Sequence, residues 1–143
     1  MLSLQFRYLS FFFGLISILS FFNIIYSYYL NLYLNLDTYY YTFTTSLIFS
    51  ILFFRFKISE KKETVFDKIL TVFLGYLVIP LVLSFPFYFS IYDLTFLNSY
   101  FESISGFTST GFSIFENIRH IDQSLILWRS STQWIGGLYF CFQ

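Results

Sequence analysis

The feature that most constrains this chain is an uncharged apolar run from Ile69 to Ile91, ILTVFLGYLVIPLVLSFPFYFSI. A helix needs about 20 apolar residues to cross the hydrocarbon core of a bilayer, so the run predicts a membrane-spanning helix. The composition agrees, since 57% of the 143 residues are hydrophobic and 11% are charged. Soluble domains carry about 25% charged residues. We therefore expect an all-α membrane protein.

Two further apolar runs precede this one. The first covers residues 11–30 and is too long for the apolar region of a signal peptide, so we expect it to remain in the membrane as an anchor. The second covers residues 40–54 and predicts another spanning helix, although three threonines lower its hydropathy. Pro80 and Pro86 lie within the third run, where transmembrane helices tolerate proline with a bend.

The basic residues predict the orientation in the membrane. The segment between the second and third runs holds five of the eight Lys and Arg residues, whereas residues 31–39 hold none. Basic loops are retained in the cytoplasm, so we expect this segment and the N-terminus to be cytoplasmic and the third helix to run outward. The five basic residues are Arg55, Lys57, Lys61, Lys62 and Lys68.

A short segment follows the third helix on the outer side. Residues 93–105 carry apolar side chains at near-helical spacing but are too few to span a bilayer. Asp93 and Thr95 are both candidate caps for its start. The small, hydroxyl-rich stretch SGFTSTG follows at residues 105–111, and a fourth apolar segment begins at Leu125. The predicted order is spanning helix, short helix, loop and helix.

A loop at membrane depth needs protein or water around it. Unpaired peptide groups are costly in lipid, so a non-helical loop persists there only where it lines a cavity. Backbone carbonyls and hydroxyls are oxygen ligands for alkali cations, and glycine permits the conformations that turn carbonyls inward. The C-terminal end of the short helix carries a partial negative charge that favours a cation. The pattern therefore predicts an ion-binding loop.

Two stretches carry a resemblance to a known family: FESISGFTSTGFS at residues 101–113 and LWRSSTQWIGG at residues 127–137. They resemble the first pore-loop repeat of the TrkH/KtrB-type potassium transporters of the Trk/Ktr/HKT superfamily. The resemblance implies a re-entrant pore helix and a selectivity-filter loop, in one repeat of a pseudo-fourfold, channel-like fold. It divides the chain into two N-terminal spanning helices (1–58), a cytoplasmic loop (59–68) and an incomplete first repeat (69–143).

The resemblance also implies roles for individual residues. Ser109 and Thr110 would supply the oxygens that coordinate K⁺, and Gly111 would be the filter glycine. Thr108 and Phe112 would flank them within the ion-binding loop. Two positions depart from the family pattern, because Ser109 stands where Thr is common and Phe112 stands where a small residue is usual.

Three residues are candidate supports of the filter, and an alternative stays open for two of them, Glu102 and Arg129. Glu102 either supports the loop from behind or reaches the outer interface as a carboxylate. Arg129 and Gln133 are one helical turn apart and share a face, from which they would contact the loop. Alternatively, Arg129 extends to the interface beside a belt formed by Trp128 and Trp134. The paired glycines that follow are expected to allow close helix packing.

The resemblance implies potassium uptake across the inner (plasma) membrane, with K⁺ as the transported ion and no cofactor. One repeat cannot close a pore. We therefore expect either a truncated N-terminal fragment or assembly with the remaining transporter repeats or further copies of the chain. The family also suggests a cytosolic nucleotide-binding regulatory subunit of the TrkA type. The alternative is a small membrane protein that transports nothing, or a non-functional remnant.

Two classes of function are not expected. The formal net charge is zero, which argues against nucleic acid as a partner. The single histidine has no plausible nucleophile beside it, and one cysteine is too few for a thiolate metal cluster. We do not expect an enzyme.

Overall fold

The computed structural model describes residues 2–55, 64–115 and 121–141, with side chains from Arg7 onward. Within these ranges the chain is helical and contains no strand, which agrees with the expected all-α class. The helices are α1 (Leu2–Tyr29), α2 (Leu36–Phe54), α3 (Val65–Leu83), α4 (Phe85–Tyr88), α5 (Phe96–Phe107) and α6 (Gln123–Cys141).

Two helical stretches in the described part of the chain are long and apolar enough to cross a membrane. They are Arg7–Tyr29 in α1 and Val65–Tyr88, which includes α3 and α4, and they correspond to the first and third predicted runs. Helices α2 and α6 form where the other two apolar segments were expected, but neither is among the stretches long and apolar enough to cross a membrane. Residues 59–63, the first half of the predicted cytoplasmic loop, lie outside the described residues.

Helices α1 and α2 pack along a seam of small polar residues. The Ser10 hydroxyl donates to the Ser50 carbonyl at 2.8 Å, and the Ser50 hydroxyl donates to the Ser10 carbonyl at 2.9 Å. Small side chains allow two helices to approach closely in a membrane. Buried hydroxyls of α2 donate to carbonyls of their own chain segment, which satisfies them without water: Thr38, Thr42 and Ser46.

Helix α3 begins earlier than the sequence predicted. The Asp67 amide donates to the Thr64 hydroxyl at 3.3 Å, and the Thr64 amide donates to the Asp67 carboxylate at 3.1 Å. This reciprocal capping box satisfies two amides at the helix start and places that start at Val65. The last residues assigned to the predicted loop at 59–68 are therefore helical.

The third apolar run was expected to form one bent helix, but it forms two helices with a break between them. Helix α3 ends at Leu83, and Ser84 separates it from α4. Pro86 lies in the first turn of α4, where the missing amide hydrogen does no harm. Pro80 stays inside α3.

Helix α6 contacts this interruption through Trp128. The Trp128 ring is fully buried, and its Nε1 donates to the Leu83 carbonyl at 3.0 Å. The ring also lies against Tyr39 of α2, with centroids 6.0 Å apart. The prediction that Trp128 belongs to an interfacial belt is wrong, because the ring fills a helix junction and satisfies a carbonyl there. Trp134, by contrast, is 73% exposed.

Candidate functional site

The candidate site is built on α5 and the loop that follows it. The Thr95 hydroxyl accepts a hydrogen bond from the Asn98 amide at 3.3 Å and caps the helix. This contact decides between the two predicted caps, since Asp93 lies in the preceding turn with φ of +46°. Helix α5 then continues to Phe107, two residues beyond its predicted end.

The C-terminal end of α5 lies beside the middle of the apolar helix α3. The Phe107 ring meets the Tyr76 ring edge-on with centroids 5.4 Å apart, and Tyr76 lies halfway along the stretch Val65–Tyr88. One turn earlier in α5, the Ser103 hydroxyl donates to the Pro80 carbonyl at 2.8 Å. The two helices are therefore antiparallel, and α5 ends at mid-height of α3.

Helix α5 ends in a Schellman motif. The Thr110 amide donates to the Ser105 carbonyl at 3.0 Å, and the Ser109 amide donates to the Gly106 carbonyl at 2.9 Å. The motif needs a left-handed residue, a position that glycine usually occupies. Here Ser109 occupies it with φ of +55°. This turn directs the chain away from the helix axis.

The exposed loop, residues 108–112, contains all five residues predicted to bind the ion. Gly111 adopts φ of +84°, and a methyl group added there would contact nothing within 4 Å. The hydroxyls of Thr108 and Thr110 are hydrogen-bonded to each other at 2.6 Å. Three carbonyls of the loop accept no hydrogen bond from any described residue: those of Thr108, Ser109 and Thr110.

The last two carbonyls of the exposed loop are engaged by protein donors. Nη2 of Arg129 donates to the carbonyls of Gly111 and Phe112, both at 3.2 Å. The Ser105 hydroxyl also donates to the Phe112 carbonyl, at 2.6 Å. A carbonyl oxygen has two lone pairs. The Phe112 oxygen therefore has none left for an ion in this arrangement, whereas the Gly111 oxygen keeps one.

The buried carboxylate of Glu102 holds the chain just after the exposed loop. The Ser113 hydroxyl donates to Oε1 at 3.0 Å, and the Ile114 amide donates to Oε2 at 3.0 Å. Nε of Arg129 lies 2.9 Å from Oε1 and forms an ion pair, although its N–H is not aligned for a directed hydrogen bond. Glu102 has no exposed surface, so its carboxylate does not reach the outer interface as the alternative proposed.

The remaining predictions on α6 concern one glutamine and two glycines, and one of these three residues makes a close contact with α5. Gln133 is exposed and makes no hydrogen bond with a described residue. Gly136 lies directly against the Phe107 carbonyl, which a methyl group at that position would overlap. Gly137 is exposed and has no atom within 4 Å of the position of an added methyl group. One of the two glycines thus allows the close approach of α6 to the end of α5.

Sequence reasoning missed two serines that hold the exposed loop. Ser105 contributes its hydroxyl and its carbonyl, and Ser113 connects the chain to Glu102. Their position on either side of the exposed loop was the available signal. A serine hydroxyl is short enough to reach neighbouring backbone groups, which makes such positions candidates for loop contacts.

Sequence comparison relates the chain to named cation transporters. A protein named uncharacterized cation transporter MJ1485 from Methanocaldococcus jannaschii is 29% identical over 110 residues, which are 76% of this chain and 23% of that protein. Trk system potassium uptake protein TrkI from Halomonas elongata is 40% identical over 60 residues, or 42% of this chain and 11% of TrkI. The chain is similar in sequence to Trk-type transporters.

A third relative, Trk system potassium uptake protein TrkG from Escherichia coli, is 27% identical over 73 residues, or 50% of this chain and 15% of TrkG. The chain spans less than a quarter of the length of each of these three relatives. No protein-family model and no solved structure matches it. The similarity therefore concerns one segment of much longer proteins.

Proposed function

We propose that this chain forms one pore-loop segment of a Trk-type potassium or cation transporter, and that the exposed loop lines the ion path. The observation that carries this proposal is the position of α5. It ends at mid-height of an apolar helix of spanning length and is followed by three carbonyls without a partner among the described residues. The names of the three relatives support the same class of function.

In this proposal the chain is a multi-pass protein of the inner (plasma) membrane. The two apolar stretches of spanning length support a membrane location. With the basic segment in the cytoplasm, the N-terminus is cytoplasmic and α5 enters from the outer side as a re-entrant pore helix. Residues 1–58 then form the N-terminal spanning pair, the cytoplasmic connection ends before α3 begins at Val65, and the pore-loop repeat runs from Val65 onward.

The ion is K⁺, held by oxygen atoms of the exposed loop. The unpartnered carbonyls of Thr108, Ser109 and Thr110 are its proposed ligands, together with the open lone pair of Gly111. Carbonyl oxygens can replace part of the hydration shell of an alkali cation. The C-terminal end of α5 adds a partial negative charge at this place. Phe112 contributes the side chain that flanks the loop but not its carbonyl, which is saturated.

A complete ion path needs partners. One loop offers oxygens from one side only, so the proposal includes further transporter repeats or further copies of this chain around the same axis. A cytosolic nucleotide-binding subunit of the TrkA type is the proposed regulator, as the resemblance to the Trk/Ktr/HKT superfamily implies.

The test is growth of a potassium-uptake-deficient strain at low K⁺, with ⁸⁶Rb⁺ uptake as a direct measure. The transporter that contains this chain should restore growth, and Gly111→Asp should abolish it because a bulky anion enters a left-handed position in the loop. Gly137→Ala is the matched control, since its site is open, and it should retain uptake.

Equal growth of the parent and the Gly111→Asp variant would contradict the assignment of the exposed loop. Absence of both growth and ⁸⁶Rb⁺ uptake in the parent would instead favour a membrane protein that transports nothing. The 143-residue chain expressed alone should not rescue the strain. Rescue by the chain alone would show that its own copies complete the pore.

A further inference from the structure

Five polar side chains from three parts of the chain form one connected hydrogen-bonded group, and three of them are fully buried. Asn35 Nδ2 and the Ser124 hydroxyl both donate to Oδ2 of Asp122, at 3.0 and 2.7 Å. The Tyr39 hydroxyl donates in turn to the Ser124 hydroxyl at 2.9 Å. We name this group the outer polar cluster; its members are Asn35, Tyr39, Tyr92, Asp122 and Ser124.

Asn35 joins three parts of the fold in this cluster. It lies in the turn between α1 and α2, and only 1% of its surface is exposed. Its amide nitrogen donates to Asp122 before α6, and its amide oxygen accepts from the Ile91 amide after α4, at 3.2 Å. A buried amide that uses both its donor and its acceptor fixes the relative positions of the groups that it bonds.

The outer polar cluster reaches the exposed loop by a first route through Tyr92. The Asp122 amide donates to the Tyr92 hydroxyl at 2.7 Å, and the Tyr92 ring packs edge-on against Phe115 with centroids 5.8 Å apart. The Phe115 amide donates to the Ser113 hydroxyl at 3.2 Å, which itself donates to Glu102. This route ends on the chain that leaves the exposed loop.

A second route runs along α6. The Asp122 carbonyl accepts hydrogen bonds from the amides of Leu125 and Ile126, at 2.9 and 3.1 Å, and so sets the start of the helix. Arg129 lies two turns further, on the same face as Asp122. Its guanidinium binds the carbonyls of Gly111 and Phe112. The rotation and height of α6 therefore determine where these two carbonyls are held.

We propose that Asn35 and Asp122 are positioning residues for the exposed loop, and that the α1–α2 hairpin acts through them as an outer brace of the ion site. No hydrogen bond joins a described side chain of the hairpin to the exposed loop. It fixes the two elements that hold the loop, α6 with Arg129 and the segment from Ser113 to Phe115. The ion-binding role of the loop rests on the proposed function, whereas the positioning itself does not.

The experiment measures the environment of the exposed loop directly. Thr110→Cys is introduced in a Cys141→Ser background, which removes the exposed native thiol. The rate of modification by a water-soluble maleimide is then compared with and without Asn35→Ala in the transporter that contains this chain. We expect a change in rate of about threefold or more, because mutations along a physical coupling route typically alter coupling by this order.

Two matched variants separate positioning from general destabilisation. Ser10→Ala removes one hydrogen bond from the same hairpin but lies in the α1–α2 seam, so the thiol at position 110 should react as in the parent. Tyr39→Phe removes one hydroxyl of the cluster, and Tyr41→Phe removes an exposed hydroxyl from the same helix. Tyr39→Phe should alter the rate of maleimide modification at position 110, and Tyr41→Phe should not.

If Asn35→Ala does not accumulate as folded protein, the result for Tyr39→Phe decides the test, because that variant keeps the aromatic ring of Tyr39 and loses only its hydroxyl. An unchanged rate in the folded cluster variant, or an equal change in Ser10→Ala, would overturn the positioning role. Selectivity provides a second readout: the ratio of ⁸⁶Rb⁺ to ²²Na⁺ uptake should change in the cluster variants and not in Ser10→Ala. A parent that transports neither ion refutes the proposed function. The maleimide rates still show whether Asn35 and Asp122 position the exposed loop.

Discussion

Glu102 and Arg129 meet behind the exposed loop at 2.9 Å, and each binds a different part of the backbone that they enclose. The carboxylate accepts from Ser113 and Ile114 after the loop, and the guanidinium donates to Gly111 and Phe112 within it. The pair therefore attaches the end of the exposed loop to α6 through Arg129, and the segment after the loop to α5 through Glu102.

Replacing Glu102 by Gln should destabilise the protein by about 3 kcal/mol, because it leaves the mostly buried Arg129 cation without its partner. Thermal unfolding in detergent measures the loss. The double variant Glu102→Gln with Arg129→Gln should recover part of it, because no unpaired charge remains. Additive losses in the double variant would show that the two side chains act independently.

Replacing Arg129 by Lys should retain the ion pair but weaken the contacts to the loop. A lysine ammonium lacks the planar fork with which arginine binds several oxygens at once. We expect a small loss of stability and a clear change in the maleimide reactivity of a cysteine at position 110. If reactivity changes no more than it does in Gln133→Lys, an exposed position on the same helix, the carbonyl contacts do not hold the loop.

Replacing Ser109 by Gly should stabilise the protein by up to about 1 kcal/mol, because a left-handed conformation is unfavourable for residues with a side chain. Thr110→Gly is the comparison, since Thr110 has no positive φ and glycine there only adds freedom to the unfolded chain. Unfolding midpoints should therefore shift in opposite directions. A shift in the same direction would contradict the strain at Ser109.

Replacing Gly136 by Ala should destabilise the protein by about 3 kcal/mol or more, because the added methyl group overlaps the Phe107 backbone and the helices have to separate. Gly137→Ala should be neutral or stabilising by about 1 kcal/mol, as expected for alanine in an open helical position. Thermal unfolding of the two variants side by side distinguishes them. Similar losses would mean that helix flexibility, rather than contact with Phe107, is what matters.

Replacing Trp128 by Phe should cost about 1–3 kcal/mol, since it leaves the buried Leu83 carbonyl without its donor. The same change at the exposed Trp134 should alter stability by less than about 0.5 kcal/mol. Equal effects of the two substitutions would show that the indole hydrogen bond at the α3–α4 interruption contributes little.

Local patterns in the sequence predict five of the six described helices, and the short helix α4 is the exception. Long apolar runs indicated α1 and α3, and the near-helical spacing after Asp93 indicated α5, because each depends on neighbours along the chain. The exact start of α3 depended on side-chain hydrogen bonds between Thr64 and Asp67, a signal that hydropathy does not contain.

The contacts around the exposed loop were less predictable, because they join residues distant in sequence. Spacing placed Arg129 and Gln133 on one face but did not show that only Arg129 reaches the loop. The sequence pattern around Trp128 is typical of an interfacial residue, whereas its hydrogen-bond partner, Leu83, lies 45 positions away. The link from Asn35 to Asp122 spans 87 positions and has no local signature.

The pairing of Glu102 with Arg129 has a consequence for how tightly a cation would be retained. Opposite unit charges so close together cancel as a monopole, so the Glu102–Arg129 pair adds little long-range attraction or repulsion at the proposed ion path. A visiting ion would then be held chiefly by short-range charge–dipole forces. Conduction requires a site that an ion can leave quickly, and a site without net charge favours such brief dwell times.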